Sequence, residues 1–132
     1  MVNQNKKLSD LLDSDNFEKI ASYALDFDHA DLDIFGRRKL IAYCLKRGLD
    51  RQFLEMQISC VLRQDNYKLV EPFIEYVHPD ILLIRSVEVE WADGINYAIK
   101  AGAKNFDQAV YKAIQKNNTN LAQFLKNKIK SV

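Results

Sequence analysis

Apolar residues recur at helical spacing along most of this chain. Leu40, Ile41, Cys44 and Leu45 follow the i, i+1, i+4, i+5 pattern of one helix face, and Leu69, Val70, Phe73 and Ile74 repeat it. Phe53, Met56, Ile58, Val61 and Leu62 predict another helix, and Ala109, Val110, Ala113 and Ile114 a further one. The stops between these runs are written just as locally. Gly48 follows the basic pair Lys46-Arg47, and Gly102 follows the run Ile95 to Ala101, each as a C-cap glycine would. His78-Pro79-Asp80 closes the helix carrying Phe73, because the residue before a proline is pushed out of the helical region. Asp15 or Asn16, Asp80, and Asn118 or Thr119 are the expected N-caps. Pro72 sits where the first turn of a helix starting near Lys68 or Leu69 would tolerate it.

One segment carries two patterns. Arg85 to Trp91 alternates polar and apolar residues as a half-buried strand does, yet Leu83, Val87 and Trp91 stand four apart as a helix requires. A lone strand has no pairing partner in this chain, so helix is the expectation.

The helical runs resemble one another. LIAYCLKRGL (40–49) aligns with LVEPFIEYVH (69–78), GINYAIKAGA (94–103) and NLAQFLKNKI (120–129), with IASYALDFDH (20–29) a fainter match. One column then reads Ala21, Ile41, Val70, Ile95, Leu121, and the column four residues on reads Leu25, Leu45, Ile74, Ile99, Leu125. Eight residues before the first column stand Leu62, Val87 and Ala113, and twelve before stand Ile58, Leu83 and Ala109, the inner face of a preceding helix. Two short helices cannot bury their apolar face alone, so such units must stack.

On these residues the chain resembles a degenerate ankyrin-like helical repeat protein, over residues ~38–130. GINYAIKAGAKN (94–105) looks like the second helix and turn of an ankyrin repeat, and AVYKAIQKNNTNLAQFLKNK (109–128) like the helix–loop–helix that follows. The departures are plain. The Thr-Pro-Leu-His opening is missing from every unit, the spacing falls short of the usual ~33 residues, and the second-helix glycine survives only at Gly48 and Gly102. The resemblance implies an all-α fold of stacked antiparallel helix pairs with trimmed β-turn fingers, of the type found in large DNA viruses and intracellular bacteria. Another helical array, or a non-repeat bundle, fits the same periodicity.

Composition narrows the class. At 132 residues, 48% apolar and 28% charged, the chain fits a single helical domain over 1–132 that buries its core without metal or disulfide. The opening MVNQNKKLSD lacks the apolar core of a secretory signal, and no run approaches the ~18 apolar residues of a membrane span. A cytoplasmic protein with no membrane contact is expected, with Cys44 and Cys60 as buried, reduced thiols. Charge is unevenly placed. Residues 1–35 carry three basic side chains against eight acidic, a net −5; residues 36–98 balance; residues 99–132 carry seven lysines against Asp107, a net +6. Such a dipole bears on association rather than fold.

Catalytic machinery is not legible. The glycines stand singly at 36, 48, 94 and 102, so no phosphate-cradling loop can be built, and the two cysteines are sixteen positions apart, unlike a zinc knuckle. A dyad of either cysteine with His78 would sit on apolar faces. The acidic run Asp26-Phe27-Asp28-His29-Ala30-Asp31-Leu32-Asp33 fails the calcium-loop test: counted from Asp26, the twelfth position is Arg37 where a bidentate glutamate is required. It reads as a solvated loop. No cofactor and no enzymatic role are expected.

What remains is binding. The leading expectation is a protein–protein interaction module or scaffold, with Trp91, Tyr97, Tyr111, Arg37 and Arg38 as candidate partner-contacting residues. Trp91 qualifies only if exposed, its default place being the core; Phe124 falls in an apolar column and is expected inside; Arg37-Arg38-Lys39 reads as the start of an amphipathic helix. Nucleic-acid association through Lys112, Lys116, Lys126, Lys128 and Lys130 is the alternative, a small enzyme of unrecognised type a more distant one, and self-association of the acidic front with the basic back a further possibility.

Overall fold

A computed structural model describes Ser9, Asp10 and residues 12–28, 32–62 and 67–130. Among these residues every regular element is helical, and the helices pair and stack, as the periodicity predicts. The chain divides into two compact units, Met1–Val61 and Leu62–Val132.

The first unit holds α1 (Phe17–Ala24), α2 (Ile34–Lys46) and α3 (Arg51–Val61), with α1 packed against both of the others. Asn16 caps α1, its Oδ1 accepting from the Lys19 amide at 3.1 Å, as one of the two expected caps. Ile20, Ala21, Tyr23 and Ala24 are buried, at the spacing of one helix face. Asp33 opens α2 by accepting from the Gly36 amide at 2.7 Å, ahead of the basic triplet that marked its expected start. Ile41 and Cys44 point into the core, and α3 contributes Leu54 and Ile58. One expectation fails here: Cys60 is exposed, because α3 is covered along a narrow stripe that it falls off, as exposed Met56 does too.

The second unit begins with a helical turn, α4 (Tyr67–Val70), which tightens into a 3-10 helix over Glu71–Tyr76 with Pro72 at its start. Phe73 and Ile74 are its buried residues. Val77 and His78 are extended ahead of Pro79, and α5 (Pro79–Glu88) follows. His78 is the cap of α5, its Nδ1 accepting from the Asp80 amide at 3.1 Å. Asp80, expected in that role, lies inside the first turn because proline takes the position after the cap. The residues with two patterns are thus helix as far as Glu88, and Trp91 lies just beyond.

Two hairpins follow on one plan. α5 pairs with α6 (Ala92–Lys100), α7 (Phe106–Gln115) pairs with α8 (Thr119–Lys130), and α7 stacks on α5. The boundaries recur at an offset of 27: Pro79 and Phe106, Glu88 and Gln115, Ala92 and Thr119. Their turns recur as well. Glu90 (φ 57°) and Asn117 (φ 59°) take the left-handed conformation at equivalent places, as do Gly48 (φ 101°) and Gly102 (φ 103°) after α2 and α6. After each, an amide bonds to the carbonyl five residues back: Leu49 to Cys44 (3.0 Å), Trp91 to Ser86 (2.8 Å), Ala103 to Ala98 (3.0 Å) and Asn118 to Ala113 (2.9 Å). This is the Schellman arrangement, which satisfies carbonyls a helix end leaves open. The sequence alignment misplaces the last unit by one residue. Ile95 matches Ala122 and Ala98 matches Leu125 in the core, rather than Ile95 with Leu121 and Ile99 with Leu125. The caps set each helix's rotation, and similarity of side chains alone had hidden the shift.

Candidate partner-binding surface

The five candidate contact residues separate by burial. Arg37 is only 4% exposed, and its guanidinium works inside the first unit. Nη1 donates to the carbonyls of Ala24 (2.9 Å) and Asp26 (2.8 Å), Nε donates to Leu32 O (3.2 Å), and the Phe27 ring lies 5.0 Å away. Those bonds tie the start of α2 to the end of α1, so the buried Arg37 guanidinium acts as a structural strut within the unit. Arg38 beside it is half-buried. Trp91 is 3% exposed and stacks on Tyr67 with ring centroids 5.3 Å apart. Burial leaves the Trp91 ring in its default place, as core. Tyr97 on α6 and Tyr111 on α7 are exposed, as a partner contact requires.

Trp91 is held by the way α5 and α6 meet. At Gly94 a Cβ would collide with Ser86 Oγ and with the Trp91 ring, so only glycine permits this approach. Ser86 is fully buried, and its hydroxyl finds no hydrogen-bond partner among the described residues. That tight crossing orients the opposite face of α5 outward.

The outward faces of α5 and α7 enclose a groove of about 640 Å³, lined by Asp80, Ile81, Ile84, Arg85, Glu88, Asn105, Gln108 and Lys112. Ile81 is exposed and Ile84 half-buried, giving the groove an apolar strip. Arg85 bridges Glu88 at 3.2 Å along α5, and Lys112 reaches the same carboxylate from α7 at 3.8 Å. One end of the groove is built rigidly. Asp80 accepts from the Lys104 amide at 2.8 Å, and Asn105 Nδ2 donates to the Asp80 carbonyl at 3.0 Å, tying the α6–α7 loop to the start of α5. Asn105 Oδ1 is buried there without a hydrogen-bond partner among the described residues. The groove thus combines an apolar strip, paired charges along its edge and a spare buried acceptor at one end.

Compared with family models, curated proteins and solved structures, the chain finds no match in any of the three. The groove must therefore be read from its own chemistry. Its residues escaped the sequence reading because Ile81, Ile84, Arg85 and Glu88 form a mixed stripe of both polarities. The available signal was their spacing, which places all four on the side of α5 away from Leu82, Leu83 and Ser86.

The other candidate chemistry is dispersed. Cys44 is buried, and burial pushes its thiol up to about 11, partly offset by the nearby Arg47 guanidinium. A thiol held protonated in this way is no nucleophile. His78 is occupied as the cap of α5. Of the acidic run, His29, Ala30 and Asp31 lie outside the described residues; among those described, Asp26 Oδ1 accepts from the Asp28 amide at 3.1 Å. No cluster of three metal-ligating side chains occurs among the described residues. None of their helices is long and apolar enough to cross a membrane.

Proposed function

We propose that this chain is a protein-interaction module that seats a partner segment along the α5–α7 groove. The observation that carries this reading is the groove itself: an outward apolar strip of Ile81 and Ile84, flanked by Arg85, Glu88 and Lys112 and lying across two stacked helices. A surface assembled from successive hairpins presents side chains of several units at once without needing a deep pocket. The ankyrin-like reading draws support from the 27-residue recurrence of helix ends and left-handed turns over 79–119. Within this reading Tyr111, exposed on α7, is a further contact outside the groove lining, and Trp91 stays in the core of the same unit.

The test compares what the intact chain and its Ile81→Glu variant capture from native lysate under crosslinking. Ile81 is exposed, so the variant should fold normally, as far-UV circular dichroism would check. A specific partner retained by the intact chain and lost by Ile81→Glu is expected. Identical capture by both chains, or no specific capture by either, overturns the proposal. Nucleic-acid association through the lysines draws less support, since Lys112 is engaged with Glu88 and Lys128 lies over the Phe124 ring at 5.3 Å. Salt-dependent retention of nucleic acid at about 50 mM salt would revive it.

A further inference from the structure

The groove between α5 and α7 carries its charge unevenly. Ile81, Ile84, Arg85 and Glu88 follow the i, i+3, i+4, i+7 spacing of one helix stripe, so an apolar pair is succeeded by charge along α5. At the charged end Arg85 reaches Glu88 Oε2 at 3.2 Å, and Lys112 reaches Glu88 Oε1 at 3.8 Å from α7. Two cations share one carboxylate, which leaves this end with one positive charge in excess. The cations are also the more accessible groups: the Arg85 and Lys112 side chains are 48% and 41% exposed, against 27% for Glu88. The opposite end has the other polarity. There Asp80 supplies a carboxylate whose Oδ1 accepts from the Lys104 amide at 2.8 Å. An acidic group entering the groove is attracted at the Arg85–Lys112 end and repelled at the Asp80 end.

The polar side chains between these ends bear on the form of the occupant. An extended segment brings unpaired amides and carbonyls that a docking site must satisfy. In this groove Asn105 Nδ2 already donates to the Asp80 carbonyl at 3.0 Å and to Gln108 Oε1 at 3.3 Å. A helix satisfies its own backbone and presents only side chains, so it needs nothing from those amides.

We propose that the occupant of the groove is an acidic amphipathic helix of a partner protein. Two of its apolar side chains, one turn apart, rest on Ile81 and Ile84, and a carboxylate about one turn further on meets Arg85 and Lys112. The spacing follows from the helical rise of about 1.5 Å per residue, which puts Glu88 about 6 Å beyond Ile84 along α5. Glu88 stays in place, since a guanidinium and an ammonium each have donors for more than one acceptor. Asp80 fixes the direction by excluding the acid from the other end. This inference rests on the reading of the groove as a partner seat, and adds the chemistry of what sits there.

The probe is a phage-displayed library of helices about three turns long, varied along one face and selected on the full chain at about 50 mM salt. Helices whose binding is lost with Ile81→Glu are expected to carry an acid about one turn from an apolar pair. For such a helix, Arg85→Glu and Lys112→Glu should each weaken binding about tenfold, and a peptide with that acid changed to lysine should recover it on Arg85→Glu. Arg85 and Lys112 are exposed enough that unchanged thermal melts would show both variants to fold. Ile81-sensitive helices that lack the acid, or that bind Arg85→Glu and Lys112→Glu as they bind the intact chain, overturn the proposal and leave the groove reading standing. A selection that yields no Ile81-sensitive helix overturns both.

Discussion

Arg37 donates to three backbone carbonyls, of Ala24, Asp26 and Leu32, where α1 ends and α2 begins. A guanidinium presents donors in a rigid plane, whereas an ammonium is a single point on a flexible stem. Arg37→Lys should therefore leave at least one buried carbonyl unsatisfied and cost about 2–3 kcal/mol, read as a lower urea midpoint. An unchanged midpoint would show that the three bonds are dispensable. The two thiols make a second prediction at this scale. Cys60 is exposed and Cys44 is buried with its thiol pushed up to about 11. A thiol reagent near neutral pH should label one site per folded chain quickly and the second only after denaturation. In the folded protein Cys44 keeps its proton through a range where the unfolded chain, near the ordinary value of 9.0, has lost it. Unfolding then releases that proton, so stability contributed by this group is present below about pH 9 and declines as pH rises towards 11. Cys44→Val should flatten that decline, measured by denaturation at several alkaline pH values.

Helix ends are where these elements are specified most sharply. Four turns share the Schellman arrangement, yet two place glycine at the left-handed position and two place Glu90 and Asn117 there. A side chain is strained in that conformation, and glutamate more so than asparagine. Glu90→Gly should stabilise the chain by about 0.5–1 kcal/mol in thermal or urea unfolding, despite removing a side chain. Loss of stability would mean that Glu90 makes a compensating contact. The α5–α6 crossing works in the opposite sense. Ala is preferred over Gly inside a helix by about 1 kcal/mol, so Gly94→Ala would stabilise an isolated α6. In the folded chain the added methyl meets Ser86 and Trp91, and a net loss of about 1–3 kcal/mol is expected. A shift in tryptophan fluorescence should accompany it, since Trp91 is the chain's single tryptophan. The helices and their stops were legible in the chain because caps and apolar periodicity act within one or two turns. The crossing was not, because nothing within either helix says that position 94 will lie over position 86.

At the scale of the molecule, the division at residues 61 and 62 separates two compact units, each with its own buried residues. The second unit has stacked hairpins and a core of Phe73, Leu82, Leu83, Val87, Trp91, Ala98, Ala109 and Leu125, each leucine contributing roughly 1.5–3 kcal/mol by burial. Residues 62–132 expressed alone should accordingly melt cooperatively with helical circular dichroism; a non-cooperative melt would show that the unit is incomplete. The separation of charge into an acidic front and a basic back belongs to this scale too, and it was readable directly from the residues. Phe124 was not readable: it stands in an apolar column but is exposed with Lys128 across its ring. By itself the sequence determined an all-helical chain, the places where most helices start and stop, and the polarity of its ends, since these depend on neighbours along the chain. Tertiary structure alone decided which apolar residues are covered, the one-residue shift between the last two hairpins, and the groove between α5 and α7. Coverage depends on what lies across a helix, which is why Val87 is buried while Ile114, in the same place one hairpin later, faces water.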